Sequence, residues 1–438
     1  MRKPPQSLLQ RLKYIGPSII VTGSVVGSGS IALTPLLGAA AGFTLLWWLL
    51  LSMWSKPLIQ AEISRYVIVK KQTFLEAFAH MPGFKTTIRG KTTSWLVWFM
   101  FIGVIPSIAG MGGLAGAVAQ AGNLMIPFIS VEAWVVTSCL ITWLILYWGS
   151  YKTLEKTLLA MVAFFSLVTL IIAISMQTTS YQVTGQDLIQ GLSFSFPLDH
   201  VALALAVFGF TGISYGEIMA YTYWCLEKGY AKEEGESLQD TRAWIKVMQT
   251  DVWVTVLFVT IGTVPFFLLG AGVLNELGLY PPPDGDIIKT LLSMFTGILG
   301  NWAKWLFILL AFFVLFSTFI SGTAAFTRTI SDYLISMGLV LEKPSTRQQL
   351  IKLIAFLVPL FSAIAYFLLP NPLTLIMIAG VWAALGLPIV NIGALYLASK
   401  LDSEFQPKKS TKMFLWLTLV FQLSMALLII YSQAKGFS

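Results

Sequence analysis

The chain has 438 residues, of which 56% are hydrophobic and only 11% are charged. This balance excludes an ordinary soluble domain, in which about a quarter of the residues are charged, and it predicts a polytopic membrane protein. The formal net charge of +8 would also suit a nucleic-acid-binding protein. Membrane proteins concentrate Lys and Arg in their cytoplasmic loops, so the positions of the basic residues decide between these two classes.

Eleven apolar stretches are long enough to cross a bilayer, which takes roughly 20 residues of helix for about 30 Å of hydrocarbon. The sequence therefore predicts an all-α chain with eleven transmembrane helices. The predicted spans are 14–41, 43–68, 94–121, 131–149, 154–176, 200–226, 249–274, 302–335, 349–369, 371–398 and 411–434.

The connections between these spans alternate in charge. One set is rich in Lys and Arg, whereas the other holds mainly acidic residues such as Asp187, Asp199 and Glu276. The positive-inside rule then places the N-terminus in the cytoplasm and, with eleven spans, the C-terminus outside. This asymmetry predicts a multi-pass protein of the plasma or inner membrane and explains the net charge without nucleic acid as a partner.

Residues that would support an enzyme are scarce. Cys139 and Cys225 lie within apolar runs without paired spacing, and the only histidines, His80 and His200, are far apart. We found no nucleotide-binding loop and no Ser/His/Asp set, so the sequence predicts neither an enzyme nor a bound cofactor.

Two spans contain glycine-rich interruptions. The first holds Gly27, Ser28, Gly29 and Ser30, and the sixth contains "VFGFTGISYGEIMAY" over 207–221. Five spans separate the starts of these two, so they occupy corresponding positions in two halves of opposite orientation. Paired interruptions in inverted repeats indicate discontinuous helices around a central substrate site. The simpler alternative is that small residues only allow the helices to pack closely.

This spacing divides one transporter domain, 1–438, into repeats at about 14–176 and 200–398, followed by an extra helix at about 411–434. In the sixth span the candidate site residues are Ser214, Tyr215, Gly216 and Glu217. An ionisable residue at the bilayer midplane is costly and is functional by default.

Several segments resemble the Nramp divalent-metal transporters. The stretch "GPSIIVTGSVVGSGSIALTPLLGAAAGF" at 16–43 resembles their first span without a gap, "STFISGTAAFTRTISDYL" at 317–334 their eighth, and "GLPIVNIGALYLAS" at 386–399 their tenth. The resemblance implies a LeuT-type fold of two inverted five-helix repeats plus an eleventh helix.

The chain departs from that family at its metal motifs, which makes it a divergent member. Gly27, Ser28, Gly29 and Ser30 stand in place of the family's Asp-Pro-Gly-Asn. Ser214 to Glu217 stand in place of Met-Pro-His-Asn, and Gly386 replaces a tenth-span Gln. Glu217 is the one plausible anionic ligand left, so the sequence leaves open whether any metal binds.

A second resemblance links "VVGSGSIALTP" to the amino-acid, polyamine and organocation transporters, in which backbone N–H groups receive a substrate carboxylate. Together these features favour a secondary transporter with a non-standard substrate, either an organic amine or zwitterion or a hard cation. The alternative is proton-coupled transport of Mn²⁺, Fe²⁺ or Mg²⁺. The expected partners are a small solute or cation, H⁺ or Na⁺ as a coupling ion, and the lipid bilayer.

Other charged and aromatic residues have simpler interpretations. Near the end of the second span we expect Lys56, Glu62 and Arg65 to form ion pairs or to reach the membrane surface. Arg328 and Asp332 are spaced i,i+4, which predicts an internal salt bridge. Near Glu217, the side chains of Tyr215, Tyr221, Tyr223 and Trp224 would provide an aromatic wall for an amine.

Overall fold

The computed structural model describes residues 4–148, 160, 164, 167–231, 237–280, 286–341, 343 and 345–435, and within these ranges leaves the side chains of 26–28, 429, 430 and 432–435 undescribed. Nearly all of the described chain is helical. The first half comprises α1 Leu8–Tyr14, α2 Pro17–Gly27, α3 Thr34–Ala41, α4 Leu46–Ser55, α5 Pro57–Lys70, α6 Phe74–Ala79, α7 Trp95–Ile102, α8 Val104–Met125, α9 Val131–Trp148 and α10 Leu167–Met176. The second half comprises α11 Gly185–Gly191, α12 Val201–Phe210, α13 Tyr215–Lys228, α14 Leu238–Leu269, α15 Ile287–Leu299, α16 Ala303–Ser336, α17 Thr346–Leu368, α18 Pro372–Ser399 and α19 Lys409–Lys435.

The described residues contain nine helical segments that are long and apolar enough to cross a membrane. The first of them, Pro17–Lys70, covers both of the first two predicted spans. Of the predicted fifth span, 154–176, about half lies outside the described residues, and its described end forms α10. The polytopic helical class is therefore confirmed, whereas the count of eleven stays a prediction.

Small residues bring the helices of the bundle close together. Helix α8 is rich in Gly and Ala along its buried face and packs against α16, α17 and α18. Membrane helices lack a hydrophobic driving force between them, so close contact of such small residues supplies much of the packing energy. The half-helix α12 packs on α18, and α13 packs on α2 and α5, so the segment between α12 and α13 lies inside the bundle.

One element is not helical. The strands β1 Lys85–Ile88 and β2 Lys91–Ser94 form an antiparallel hairpin, with Ile88 paired to Lys91. Its two turn residues, Arg89 and Gly90, both have positive φ angles, as the tight turns of two-residue hairpins require. The hairpin has no counterpart among the elements predicted from the sequence. It lies at the same end of the bundle as the C-terminal end of α16, where Thr93 Oγ1 donates to the carbonyl of Ser336.

Candidate substrate site

The interruption predicted in the sixth span is present. Helix α12 ends at Phe210 and α13 begins at Tyr215, with Thr211 extended and Gly212 at a φ of 74°. A β-carbon on Gly212 would also lie 2.9 Å from Cα of Met53, so glycine suits both the turn and the close neighbour. Backbone groups of this segment must find partners inside the protein, because lipid offers none.

The first span differs from the expected open break. Residues Ser28–Leu33 form a stretch of π-helix that connects α2 directly to α3. Amides in a π-helix bond to carbonyls five residues earlier, so the chain widens here without separating into two half-helices. Such a widened turn leaves no row of free N–H groups for a substrate carboxylate.

The two glycine-rich segments touch each other. A β-carbon on Gly29 would lie 2.7 Å from the carbonyl oxygen of Phe210 and 3.0 Å from Cα of Thr211. Thr34 Oγ1 donates to the carbonyl of Gly29 over 2.7 Å and lies 3.3 Å from Thr211 Oγ1. The fold thus brings the π-helical turn of the first span against the interruption of the sixth.

Glu217 has a structural role at the start of α13. Its Oε2 accepts from the backbone N–H of Ser214 over 3.1 Å and from the Ser214 hydroxyl, and that hydroxyl accepts from the N–H of Gly216. This arrangement is a capping box, in which a serine and the acid three residues later satisfy the N-terminal amides of a helix. Glu217 Oε1 accepts from Ser24 Oγ of α2 over 3.1 Å, so the carboxylate also joins the two interrupted spans.

The candidate residues of the first span are placed differently. Ser30 is buried, its hydroxyl lies 2.6 Å from Thr263 Oγ1 of α14, and it does not line the cavity that Glu217 lines. The side chain of Ser28 lies outside the described part of the structure, and Gly27 is the last residue of α2. The structure therefore gathers Ser214, Tyr215, Gly216 and Glu217 around a cavity, and Ser24 joins them in place of Ser30.

Lys56 is the residue whose environment departs furthest from expectation. Its side chain is fully buried, and Nζ donates to the carbonyls of Phe208 and Thr211 over 2.5 and 2.7 Å. Glu62 and Arg65 do form the predicted ion pair, with 2.8 Å between Nε and Oε2. Lys56 takes no part in that pair and instead caps the carbonyl end of α12.

A small cavity of about 80 Å³ lies beside this arrangement. It reaches from Ser24 and Thr318 to Met100 and Tyr333, near the end of the bundle that carries the β1–β2 hairpin. Among the described residues that line the cavity, Glu217 is the only one with a charge. The hydroxyl-bearing lining residues besides tyrosines are Ser24, Ser107, Ser214, Thr318 and Thr329, and the larger apolar or aromatic ones include Met100, Met111, Leu114, Phe210, Tyr215, Met219, Phe326 and Tyr333.

Tyr215 forms part of the cavity wall because Gly386 leaves room for its ring. A β-carbon on Gly386 would lie 2.7 Å from Cδ1 of Tyr215. The phenol hydroxyl and the indole nitrogen of Trp382 both lie close to Gly103. The ring of Tyr215 thus packs in the space that a side chain at position 386 would need.

The other aromatic residues near Glu217 in sequence do not form the predicted wall. Tyr221 donates to Asp251 over 2.7 Å, and the ring of Trp224 lies under the guanidinium of Arg328. The predicted Arg328–Asp332 bridge is also wrong, because partners on other segments are better placed. Arg328 pairs with Glu227 at 2.8 Å, and Asp332 pairs with Arg347 at 2.9 Å.

No group of three or more His, Cys, Asp or Glu side chains that could hold a metal ion occurs among the described residues. Stripping water from a transition metal needs anionic or strongly donating ligands. Among the described lining residues Glu217 is the one carboxylate, and it already accepts three hydrogen bonds, one from Ser24 and two from Ser214.

Comparison with solved structures defines the class of protein. The fold is similar to that of a mutant manganese transporter from Eremococcus coleocola, with a TM-score of 0.73 and 16% identity over 99% of this chain and 90% of the other. It is also similar to MhsT in complex with L-phenylalanine, with a TM-score of 0.58 and 15% identity over 98% and 99% of the chains. The fold is similar, too, to that of a nucleobase-cation-symport-1 family transporter, with a TM-score of 0.59 and 14% identity over 97% of this chain and 92% of the other. These likenesses show that the chain has the LeuT-type helical fold.

The family follows from the sequence itself. The model for Nramp, described as natural resistance-associated macrophage protein-like, matches residues 18–432. The chain therefore belongs to the Nramp family and is a multi-pass membrane transporter, not an enzyme. No curated protein matches it in sequence.

Proposed function

We propose that the protein transports an organic amine by alternating access, with the ammonium group of the solute bound at Glu217. The observation that supports this most directly is the cavity, which is mainly apolar and has one carboxylate among its described lining residues. An apolar wall suits the carbon skeleton of an amine, and the negative charge of Glu217 suits its ammonium group. Tyr215 adds an aromatic face for cation–π contact.

The other non-standard substrates receive less support. A hard cation needs six or more oxygen ligands, yet the nearby carbonyls of Phe208 and Thr211 accept from Lys56, and that of Gly23 accepts from Thr318 over 2.9 Å. A zwitterion needs a partner for its carboxylate. The amides of the π-helical turn bond within the helix, and no basic side chain is found among the described lining residues.

Divalent-metal transport is the second candidate. Membership of the Nramp family and the likeness to a manganese transporter favour it. Met100, Met111 and Met219 also line the cavity, and thioether sulfur is a ligand for soft metal ions.

We further propose an orientation and a repeat structure. With the N-terminus in the cytoplasm of a cell bounded by the plasma or inner membrane, the cavity opens towards the cytoplasm. The inverted repeats at about 14–176 and 200–398 would provide the two half-structures that move relative to each other. A proton or Na⁺ gradient is the proposed source of energy.

The test is uptake into proteoliposomes by the purified wild type and by Glu217→Gln. Gln keeps the capping geometry, since either Glu or Gln serves at that position, and removes the charge. We expect saturable uptake of primary alkyl or aryl amines, and a loss of roughly 10- to 100-fold in Glu217→Gln, the equivalent of one charge-assisted hydrogen bond.

Glu132→Gln is the matched control, since Glu132 is exposed at the start of α9 and does not line the cavity. Mn²⁺, Mg²⁺ and amino acids are assayed in parallel. Saturable Mn²⁺ uptake without amine uptake would replace the amine proposal with the metal alternative. Amine uptake that is equal in wild type and Glu217→Gln would remove Glu217 from the site.

A further inference from the structure

Three donors on one face of the second span bond to carbonyls along α12, and two of them reach its carbonyl end. Trp48, Ser52 and Lys56 are spaced four residues apart, so they follow one another along the same helical face. Trp48 Nε1 donates to the carbonyl of Ala204 over 2.8 Å, and Ser52 Oγ donates to those of Phe208 and Thr211 over 3.2 and 2.9 Å. Lys56 completes the series with the bonds to the same two carbonyls described above.

The carbonyl end of a helix attracts positive charge. The last carbonyls of α12 have no partners within the helix, and the helix dipole adds about half a negative charge at this end. Two carbonyl oxygens and a serine hydroxyl gathered in a buried space form the kind of oxygen cluster that binds a small cation. The Nζ of Lys56 fills that space and lies 4.8 Å from the centre of the Phe208 ring.

We propose that Lys56 is a built-in cation that occupies an ion site at the interruption between α12 and α13 and thereby excludes free monovalent cations from it. The protein would then need no Na⁺ or K⁺ at this position to hold the interruption in shape. Lys56 would be a specificity-determining residue for ions, whichever solute the cavity receives.

Replacing Lys56 by a small residue should convert the occupied site into an empty one. In Lys56→Ala the oxygen atoms of Phe208, Thr211 and Ser52 remain, and the space of the butylammonium chain becomes available. We expect the melting temperature of purified Lys56→Ala, followed by tryptophan fluorescence, to fall by roughly 5 °C or more. Methylammonium, Na⁺ or K⁺ should restore at least half of that loss saturably, measured against choline at constant ionic strength, because choline is too large for the space.

The wild type is the first control and should show no difference between K⁺ and choline; any stabilisation of it by Na⁺ or methylammonium, the proposed coupling ion and a relative of the proposed solute, should be smaller than that of Lys56→Ala. Lys304→Ala, which removes an exposed lysine near the start of α16, should melt like the wild type. If no cation stabilises Lys56→Ala beyond choline, or if the wild type responds as strongly as the variant, the proposal is wrong.

Lys56→Gln provides a separate test if Lys56→Ala does not fold. It keeps N–H donors and removes the charge, so we expect it to melt below the wild type. A melting temperature equal to that of the wild type would show that the site requires donors and not a cation. All these experiments measure melting temperatures, so their outcome does not depend on whether the protein takes up amines.

Discussion

Tyr215 and Gly386 show how a single side chain reshapes this site. The ring of Tyr215 lies against the α-carbon of Gly386, where any larger residue would collide with it. The Nramp pattern has a Gln at position 386, and the structure explains why this chain cannot carry one together with Tyr215. The ring now forms part of the wall of the cavity next to Glu217.

We predict that Gly386→Ala destabilises the protein by about 1–3 kcal/mol, the usual cost of overpacking a well-packed interior. The cause would be the 2.7 Å approach of the new β-carbon to Cδ1 of Tyr215. In a Tyr215→Ala background the same substitution should cost little, because the ring is gone. Thermal unfolding of the two single variants and the double variant measures the coupling. Strictly additive effects would contradict the packing account.

At the level of elements, the contact between the π-helical turn and the interruption of the sixth span depends on Gly29. A β-carbon there would lie 2.7 Å from a backbone oxygen, and backbone cannot rotate aside as a side chain can. The two segments would have to separate, and the bond between Thr34 and the Gly29 carbonyl would be strained with them.

We therefore expect Gly29→Ala to lower the melting temperature and to reduce uptake severalfold. The matched control is Gly185→Ala at the start of α11, where a β-carbon would meet nothing within 4 Å. Uptake and thermal unfolding are measured on both variants. A Gly29→Ala protein as stable and active as Gly185→Ala would show that the two segments do not need to touch.

The helices could be predicted from their apolar runs, but the interruptions within them could be predicted only in part. The apolar runs gave the helices because a bilayer admits few other structures. The glycines of "VVGSGSIAL" weaken an α-helix without indicating whether it opens or widens, and the structure has a π-helical turn there. The i,i+4 rule paired Arg328 with Asp332, whereas residues on neighbouring elements provide shorter contacts, which spacing along one helix cannot reveal.

Glu217 could be identified from the sequence as a site residue, whereas the buried position of Lys56 could not. Glu217 was identifiable because it stands alone in an apolar run. Lys56 lies close in sequence to Glu62 and Arg65 and so resembled a residue at the membrane surface. The four-residue spacing of Trp48, Ser52 and Lys56 was the available signal, since it places three donors on one face of an apolar helix.

At the scale of the whole molecule, the distribution of charge predicts how the protein sits in the membrane. Gln349, near Arg347 and Lys352, is exposed at the basic end of the bundle, whereas Ser193, between Asp187 and Asp199, is exposed in an acidic connection. The positive-inside rule assigns the basic end to the cytoplasm. The cavity beside Glu217 reaches towards that same end, which would make this an inward-facing arrangement.

We predict that Ser193→Cys reacts with a membrane-impermeant maleimide in intact cells and that Gln349→Cys reacts only after permeabilisation. The native chain is a low-background parent for this experiment, because Cys139 and Cys225 are both buried. The unmodified protein serves as the control before and after permeabilisation. Labelling of Gln349→Cys but not of Ser193→Cys in intact cells would invert the topology, so that the cavity would open to the outside and the amine site would be loaded from that side.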